Sequence, residues 1–193
     1  MPVEATLTDG YTRYGSDEPV SLWERDLSEM NVSWDVSGVG RVGFDDLHFE
    51  PVSEAANQLV LEARMGPGMA IRLAHNLAGY QVKTDINFVG VENATDKNRT
   101  FNWSAVGQRN EKGLQWERQH SAIYYLELGE ERDYLSDGTE DEEVLEEGLS
   151  WLSFKQNYFS ALVSSPQPFA PGAKIANVRP ADDTTYVMGY VAE

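Results

Sequence analysis

Cysteine is absent from the 193-residue chain, which excludes a disulfide framework, an iron–sulfur cluster and thiol catalysis, and leaves zinc only histidine and carboxylate ligands. Histidine is scarce. His48, His75 and His120 are the only three, they lie far apart in sequence, and each reads most simply as a strand or loop histidine. No metal, cofactor or catalytic residue is assigned. Nucleophile elbows, phosphate-binding glycine loops, dinucleotide fingerprints and His-Glu-x-x-His are missing too, so the chain reads as a non-enzyme.

Positive charge is also in short supply. Fifteen Lys+Arg face 32 Asp+Glu, giving a net charge of −17 and a pI near 4.4. Such a surface repels a polyanion or an anionic bilayer across a Debye length of about 10 Å at 0.1 M salt, so neither nucleic acid nor direct lipid binding is expected. No apolar run reaches the ~18 residues of a transmembrane helix, and Met1 to Asp9 lacks the pattern of a signal peptide. As given, the chain reads as soluble.

What is present suffices for one substantial core. Hydrophobic residues make up 41%, close to the globular norm once Tyr and Gly are counted as usual, and no linker, repeat or low-complexity tract divides the chain. Residues 1–193 read as a single domain. Tyr80, Val82, Thr84, Ile86 and Phe88 alternate with polar residues, predicting a strand with one buried face. Phe101, Trp103 and Ala105 resume the alternation after the polar stretch Glu92 to Asn98, suggesting that the two runs form an antiparallel hairpin. Leu59, Leu61 and Ala63 precede Gly66-Pro67-Gly68, and Met69, Ile71 and Leu73 follow, which predicts another.

Ala122 to Leu128 carries apolar residues on both faces, as a strand inside a sandwich would. Leu149 to Val163 repeats this, with a bend or bulge at Lys155 to Asn157. Tyr186, Met188 and Tyr190 suggest a last strand. The one helix start is Thr139 with Glu142, a capping-box pattern favouring a short helix that ends at Gly148. The fold class is therefore all-β with minor α, antiparallel.

Ten or more carboxylates crowd between Glu127 and Glu147 without EF-hand spacing, which favours a solvated acidic loop. Asn31, Asn93, Asn98 and Asn102 each begin an Asn-x-Ser/Thr triplet, as expected by chance in this composition. The acidity also fits a protein working in concentrated salt.

The string LSWLSFKQNYFSALV at Leu149 to Val163, above all Trp151, Phe154, Gln156, Tyr158 and Phe159, resembles a signature of the large periplasmic domain of the YidC/Oxa/Alb insertase family. LQWERQHSAIYY at Leu114 to Tyr125, DYLS at Asp133 to Ser136 and GYQVKTDINFVG at Gly79 to Gly90 follow the same pattern, closest to the Bacteroidetes branch. The resemblance covers most of Leu59 to Val163; Met1 to Pro51 matches weakly.

The resemblance implies an antiparallel β-supersandwich similar to galactose mutarotases, trimmed at both ends relative to the family's domain. It implies a multi-pass inner-membrane protein that inserts and folds other membrane proteins, with this part on the periplasmic face. It further implies a docking or chaperone-like module whose partners are Sec translocon components (SecDF, SecYEG) and nascent inner-membrane proteins. Tyr124, Tyr125, Trp151, Phe154, Tyr158 and Phe159 are the candidate cleft or interaction residues. The supersandwich kinship also prompts a rival, a sugar-binding or mutarotase-like protein, which needs a histidine and a carboxylate converging in an open cleft.

Overall fold

The computed structural model describes residues 5–7, 10–91, 98–135, 141–178 and 186–193. In chain order the early strands are β1 Ala5–Thr6, β2 Ser21–Trp23, β3 Ser28–Val36, β4 Gly40–Gly43, β5 Glu50–Ala55, β6 Gln58–Gly66, β7 Met69–Ala78 and β8 Gln81–Val89. They are followed by β9 Thr100–Gln108, helix α1 Leu114–Gln119, β10 Ala122–Glu127, β11 Asp133–Leu135, β12 Asp141–Val144, β13 Leu149–Lys155, β14 Ser160–Phe169, β15 Lys174–Val178 and β16 Tyr186–Ala192. All described pairings between these strands are antiparallel, as the alternating patterns require.

The chain divides into two compact units, Met1–Met30 with Phe101–Glu193, and Asn31–Thr100. In the first, β11, β10, β13 and β14 form one sheet, while β12, β15, β16 and β9 pair in that order. Between them lies a core of Trp103, Ile123, Tyr125, Leu152, Phe154, Ile175 and their neighbours. The rings of Trp103 and Phe154 stack with centroids 4.0 Å apart. The two inner faces thus build a sandwich by the period-2 rule.

In the second unit β5, β6, β7 and β8 form a meander, and β3 pairs with β4. Ala63, Ile71, Leu73 and Trp34 are buried there, and Trp34 meets Phe44 and Phe88 edge-on at 5.6 and 5.1 Å. The β6–β7 hairpin turns through Pro67-Gly68 between the paired Gly66 and Met69. Pro presets φ at the first turn position, and Gly68 supplies the positive φ of 73° that the second demands.

Three expectations from sequence are corrected and one is made specific. Asp141–Val144 is a strand paired with β15, not the first turn of a helix; Thr139 and Glu140 lie outside the described residues. The ladder with β15 overrides a weak local capping signal. β9 pairs with β16 rather than forming a hairpin with β8, which is an edge of its meander. The bend or bulge expected at Lys155 to Asn157 is a bend: Lys155 pairs with Ser160, and the Gln156 amide donates to the Phe159 carbonyl at 2.8 Å, closing a hairpin. Tyr80 does not share the buried face of β8 but sits in the turn before it, 97% exposed.

Candidate functional site

The sheet β11-β10-β13-β14 carries four of the six candidate aromatics on its two middle strands, and the pleat sorts them. Tyr125, which pairs with Leu152, and Phe154, which pairs with Ile123, point into the sandwich. Tyr125 is 3% exposed, and its hydroxyl donates to Glu143 Oε2 at 2.9 Å. Burial first, then that carboxylate, pushes its pKa above the ordinary tyrosine value. Both residues are core.

On the opposite face Tyr124 and Trp151 are half-buried. Tyr124 stacks on Tyr134 across the β10–β11 pair with ring centroids 5.3 Å apart. Leu126 pairs with Trp151, and Leu162 with Ser153 beside Tyr124. The expectation that both faces of β10 are covered alike is therefore corrected, since this face is open to solvent at Tyr134 and Leu162. Cations frame it in an otherwise acidic chain: the Arg132 guanidinium lies 5.3 Å from the Tyr124 centroid and Lys155 Nζ 6.0 Å. The Lys155 ammonium also donates to the His120 carbonyl at 2.7 Å, and burial holds its pKa below the ordinary lysine value.

The last two candidates sit at the β13–β14 turn. Tyr158 is 70% exposed; Phe159 is half-buried and meets Tyr11 edge-on at 5.6 Å. Phe159 and Phe154 also wall a cavity of about 10 Å³ with Trp103, Gln156 and Ala161. That volume holds one water at most, so it is no ligand pocket. A wider open dish of about 550 Å³ lies over Arg13, Tyr14, Ser16, Asp17, Asn110 and Glu111.

Beneath this end runs a buried polar network that no local sequence pattern announces. Glu117, 1% exposed on α1, accepts the amides of Asn110 and Glu111 at 3.0 to 3.1 Å. Asn110 Nδ2 donates to Gln156 Oε1 at 3.0 Å, and Gln156 Nε2 donates to the Leu22 carbonyl at 3.1 Å. Desolvation pushes the Glu117 pKa up, opposed by the amides it accepts. The network fixes a loop, a helix and a hairpin turn to one another.

Proton-transfer chemistry finds no assembled site among the described residues. His48 is exposed beside Glu50, His75 is bonded to Thr84 at 2.8 Å, and His120 stacks on Trp116. None of the three lines the cavity or the dish. No group of three or more metal-ligating side chains converges among the described residues, and no described helix is long and apolar enough to cross a membrane. The arrangement is an aromatic sheet face with an exposed tyrosine at a turn.

No family model matches the chain, and no solved structure does. Curated proteins do. The membrane protein insertase YidC of Porphyromonas gingivalis is 30% identical over 166 residues, 83% of this chain and 26% of that protein. YidC of Amoebophilus asiaticus is 32% identical over 170 residues, 80% of this chain and 28% of that protein. YidC of Phocaeicola vulgatus is 22% identical over 181 residues, 91% and 29%. The chain spans 26% to 29% of the length of these relatives and is related to one segment of them.

Proposed function

We infer that this chain is the periplasmic domain of a YidC-type membrane protein insertase, a non-enzymatic docking or chaperone-like module in membrane protein insertion and folding. The observation that carries the reading is the similarity to several insertases over roughly four fifths of the chain or more, while the remainder of those proteins lies outside it. In this reading residues 1–193 form a single periplasmic piece of a longer inner-membrane protein, with the β-supersandwich architecture of the resemblance. The membrane-embedded part does the inserting.

The domain contributes surface. Tyr124, Trp151, Tyr158 and Phe159 are the candidates that remain at least partly accessible, joined by Tyr134 and Leu162 on the open sheet face. Aromatic residues at such positions give large contact area at low entropic cost. Sec translocon components, SecDF and SecYEG, and nascent inner-membrane proteins are the proposed partners. Tyr125 and Phe154 act indirectly, by holding the sheet that presents the others.

The complete gene provides the first test. Hydrophobic membrane-spanning segments on both sides of this stretch are expected, and polar flanks on either side would overturn the reading. The second test is functional: cells whose full-length protein carries Trp151→Ala together with Tyr134→Ala should cross-link less to translocon components or clients at this face. Unchanged cross-linking, with the protein present at normal level, would remove the docking role from these residues.

A further inference from the structure

The second unit has one end from which charge is missing. Between Ala55 and Leu61, and between Leu73 and Val82, no Asp, Glu, Lys or Arg occurs, although a quarter of the chain is charged. The fold brings these two segments together. The β5–β6 turn and the β7–β8 turn lie at the same end of the meander, where the Leu77 amide donates to the Asn57 carbonyl at 2.8 Å. Leu77 pairs with Val82 and Ala78 with Gln81, and Gly79-Tyr80 forms the apex with Gly79 at φ 58°.

The apolar side chains at this end face water. Tyr80 is 97% exposed, Leu77 49% and Val82 51%, with Ala55, Ala56 and Ala78 exposed around them. His75, the one histidine in either segment, is bonded to Thr84 at 2.8 Å. Behind the apex, the first charged residue is Lys83, and the first acid is Glu54, level with Leu59, His75 and Thr84. At about 3.3 Å per residue that acid stands roughly 13 Å behind Tyr80, beyond a Debye length of about 10 Å at 0.1 M salt.

We propose that the β7–β8 hairpin tip, Leu77, Tyr80 and Val82, docks into the headgroup layer of a zwitterionic lipid bilayer. Tyrosine prefers that layer because its ring is apolar and its hydroxyl is wet. Leu77 and Val82 add apolar area at the depth just behind it, and Lys83, ion-paired with Asp85 at 3.1 Å, follows at the level of the lipid phosphates. The net charge of −17 keeps the rest of the chain off an anionic surface; it does not reach the tip. The expectation of no lipid contact, which came from that total charge, thus gives way to contact at one uncharged point. The proposal does not depend on the insertase reading, because it concerns this chain and a bilayer alone.

The absence of native cysteine allows a clean test. An environment-sensitive fluorophore is attached to Tyr80→Cys, and separately to Val39→Cys, an exposed apolar position in another turn. Phosphatidylcholine vesicles should shift the label at 80 to the blue and expose it to bilayer-embedded quenchers at roughly millimolar lipid, weaker than a single acyl anchor, with no change at 39. Flotation of the unlabelled chain with the same vesicles should fall about tenfold or more for Leu77→Asp with Tyr80→Asp; the two positions are 49% and 97% exposed and are not cross-strand partners. Replacing half the lipid by phosphatidylglycerol should weaken binding at low salt and restore it at 0.5 M NaCl. No response at 80 up to several millimolar lipid, or equal responses at 80 and 39, would overturn the proposal. So would a shift that follows protein concentration without lipid, which would assign the tip to a second copy of the chain.

Discussion

The Tyr125 hydroxyl donates to Glu143 Oε2 at 2.9 Å and so ties β10 of one sheet to β12, which belongs to the facing layer through β15. The ring is core and the carboxylate is exposed, which makes the bond a link from the interior to the rim. Tyr125→Phe keeps the packing and returns Glu143 to water, so it should cost about 0.5–1.5 kcal/mol in urea unfolding. The raised phenol pKa adds a pH signature. A folded-state value above the unfolded one near 10 means full stability below about pH 10 and loss as pH climbs beyond it. The wild-type chain should weaken in that alkaline range more steeply than Tyr125→Phe; parallel curves would place the titration elsewhere.

Glu117 carries the opposite kind of burden. Its carboxylate is buried on α1 and accepts three amide bonds, yet desolvation raises its pKa. The folded state therefore binds a proton more readily than the unfolded chain. Its contribution is greatest below the unfolded glutamate value near 4.3 and declines as pH rises through the shifted one. Glu117→Gln removes that slope and also turns an amide NH₂ toward backbone donors. Destabilisation at pH 7 of about 1–3 kcal/mol is expected, with a flatter profile between pH 4 and 7 in chemical unfolding. An unaltered profile would show that Glu117 does not titrate in that window.

The elements readable from sequence were those whose determinants are local. Gly66-Pro67-Gly68 names its own turn, and the flanking Leu61, Ala63, Ile71 and Leu73 reveal the buried face. The strand at Tyr186 to Ala192 likewise shows in its alternation. Pairing between distant strands left no such mark: nothing in Phe101 to Ala105 says that its partner is β16. The acidic run was misread because helix and strand share its residues; only the ladder with Lys174 to Asn177 decides for strand. At the candidate site, the first four aromatics of the candidate set fall on the two middle strands of one sheet. Which ring faces inward depended on register, and a one-residue step separates buried Tyr125 from accessible Tyr124. Tyr134, Arg132 and α1 were missed, the last because six residues carry too little periodicity.

That register difference has a measurable consequence. Phe154→Ala would open a hole against Trp103 and should cost about 3–5 kcal/mol. Tyr124→Ala, on the open face one residue step from the core, should cost much less, on the order of 1 kcal/mol, mainly through the lost stack on Tyr134. Thermal melts of both variants decide it; equal losses would mean that the outer face is packed as tightly as the inner.

Gly90 should be the least replaceable glycine. It follows β8 with φ 69°, and a Cβ there would lie 2.2 Å from the Gly68 carbonyl oxygen, backbone that closes the neighbouring hairpin turn. Strain from the positive φ adds to the collision, so Gly90→Ala should lose roughly 2 kcal/mol or more. Gly129→Ala is the control, since Gly129 has φ 84° with open space around its added methyl. It should show the conformational penalty of about 1 kcal/mol without the clash. Similar melting temperatures for the two variants would argue against close contact at Gly90.

Salt should stabilise the chain. Fifteen cations serve 32 acids, and of the seven ion pairs among the described residues four share Arg13 or Glu62, so most acids have no cationic partner in such a pair. Unfolding separates like charges and relieves their repulsion, so screening favours the folded state. The midpoint of thermal unfolding should rise from ~10 mM to ~0.5 M NaCl, where the Debye length falls from about 30 Å to about 4 Å. A plateau above that concentration is the mark of screening alone. A continued rise into the molar range would instead show a surface adapted to concentrated salt, and a fall at any step would mean that attractive pairs outweigh the repulsion.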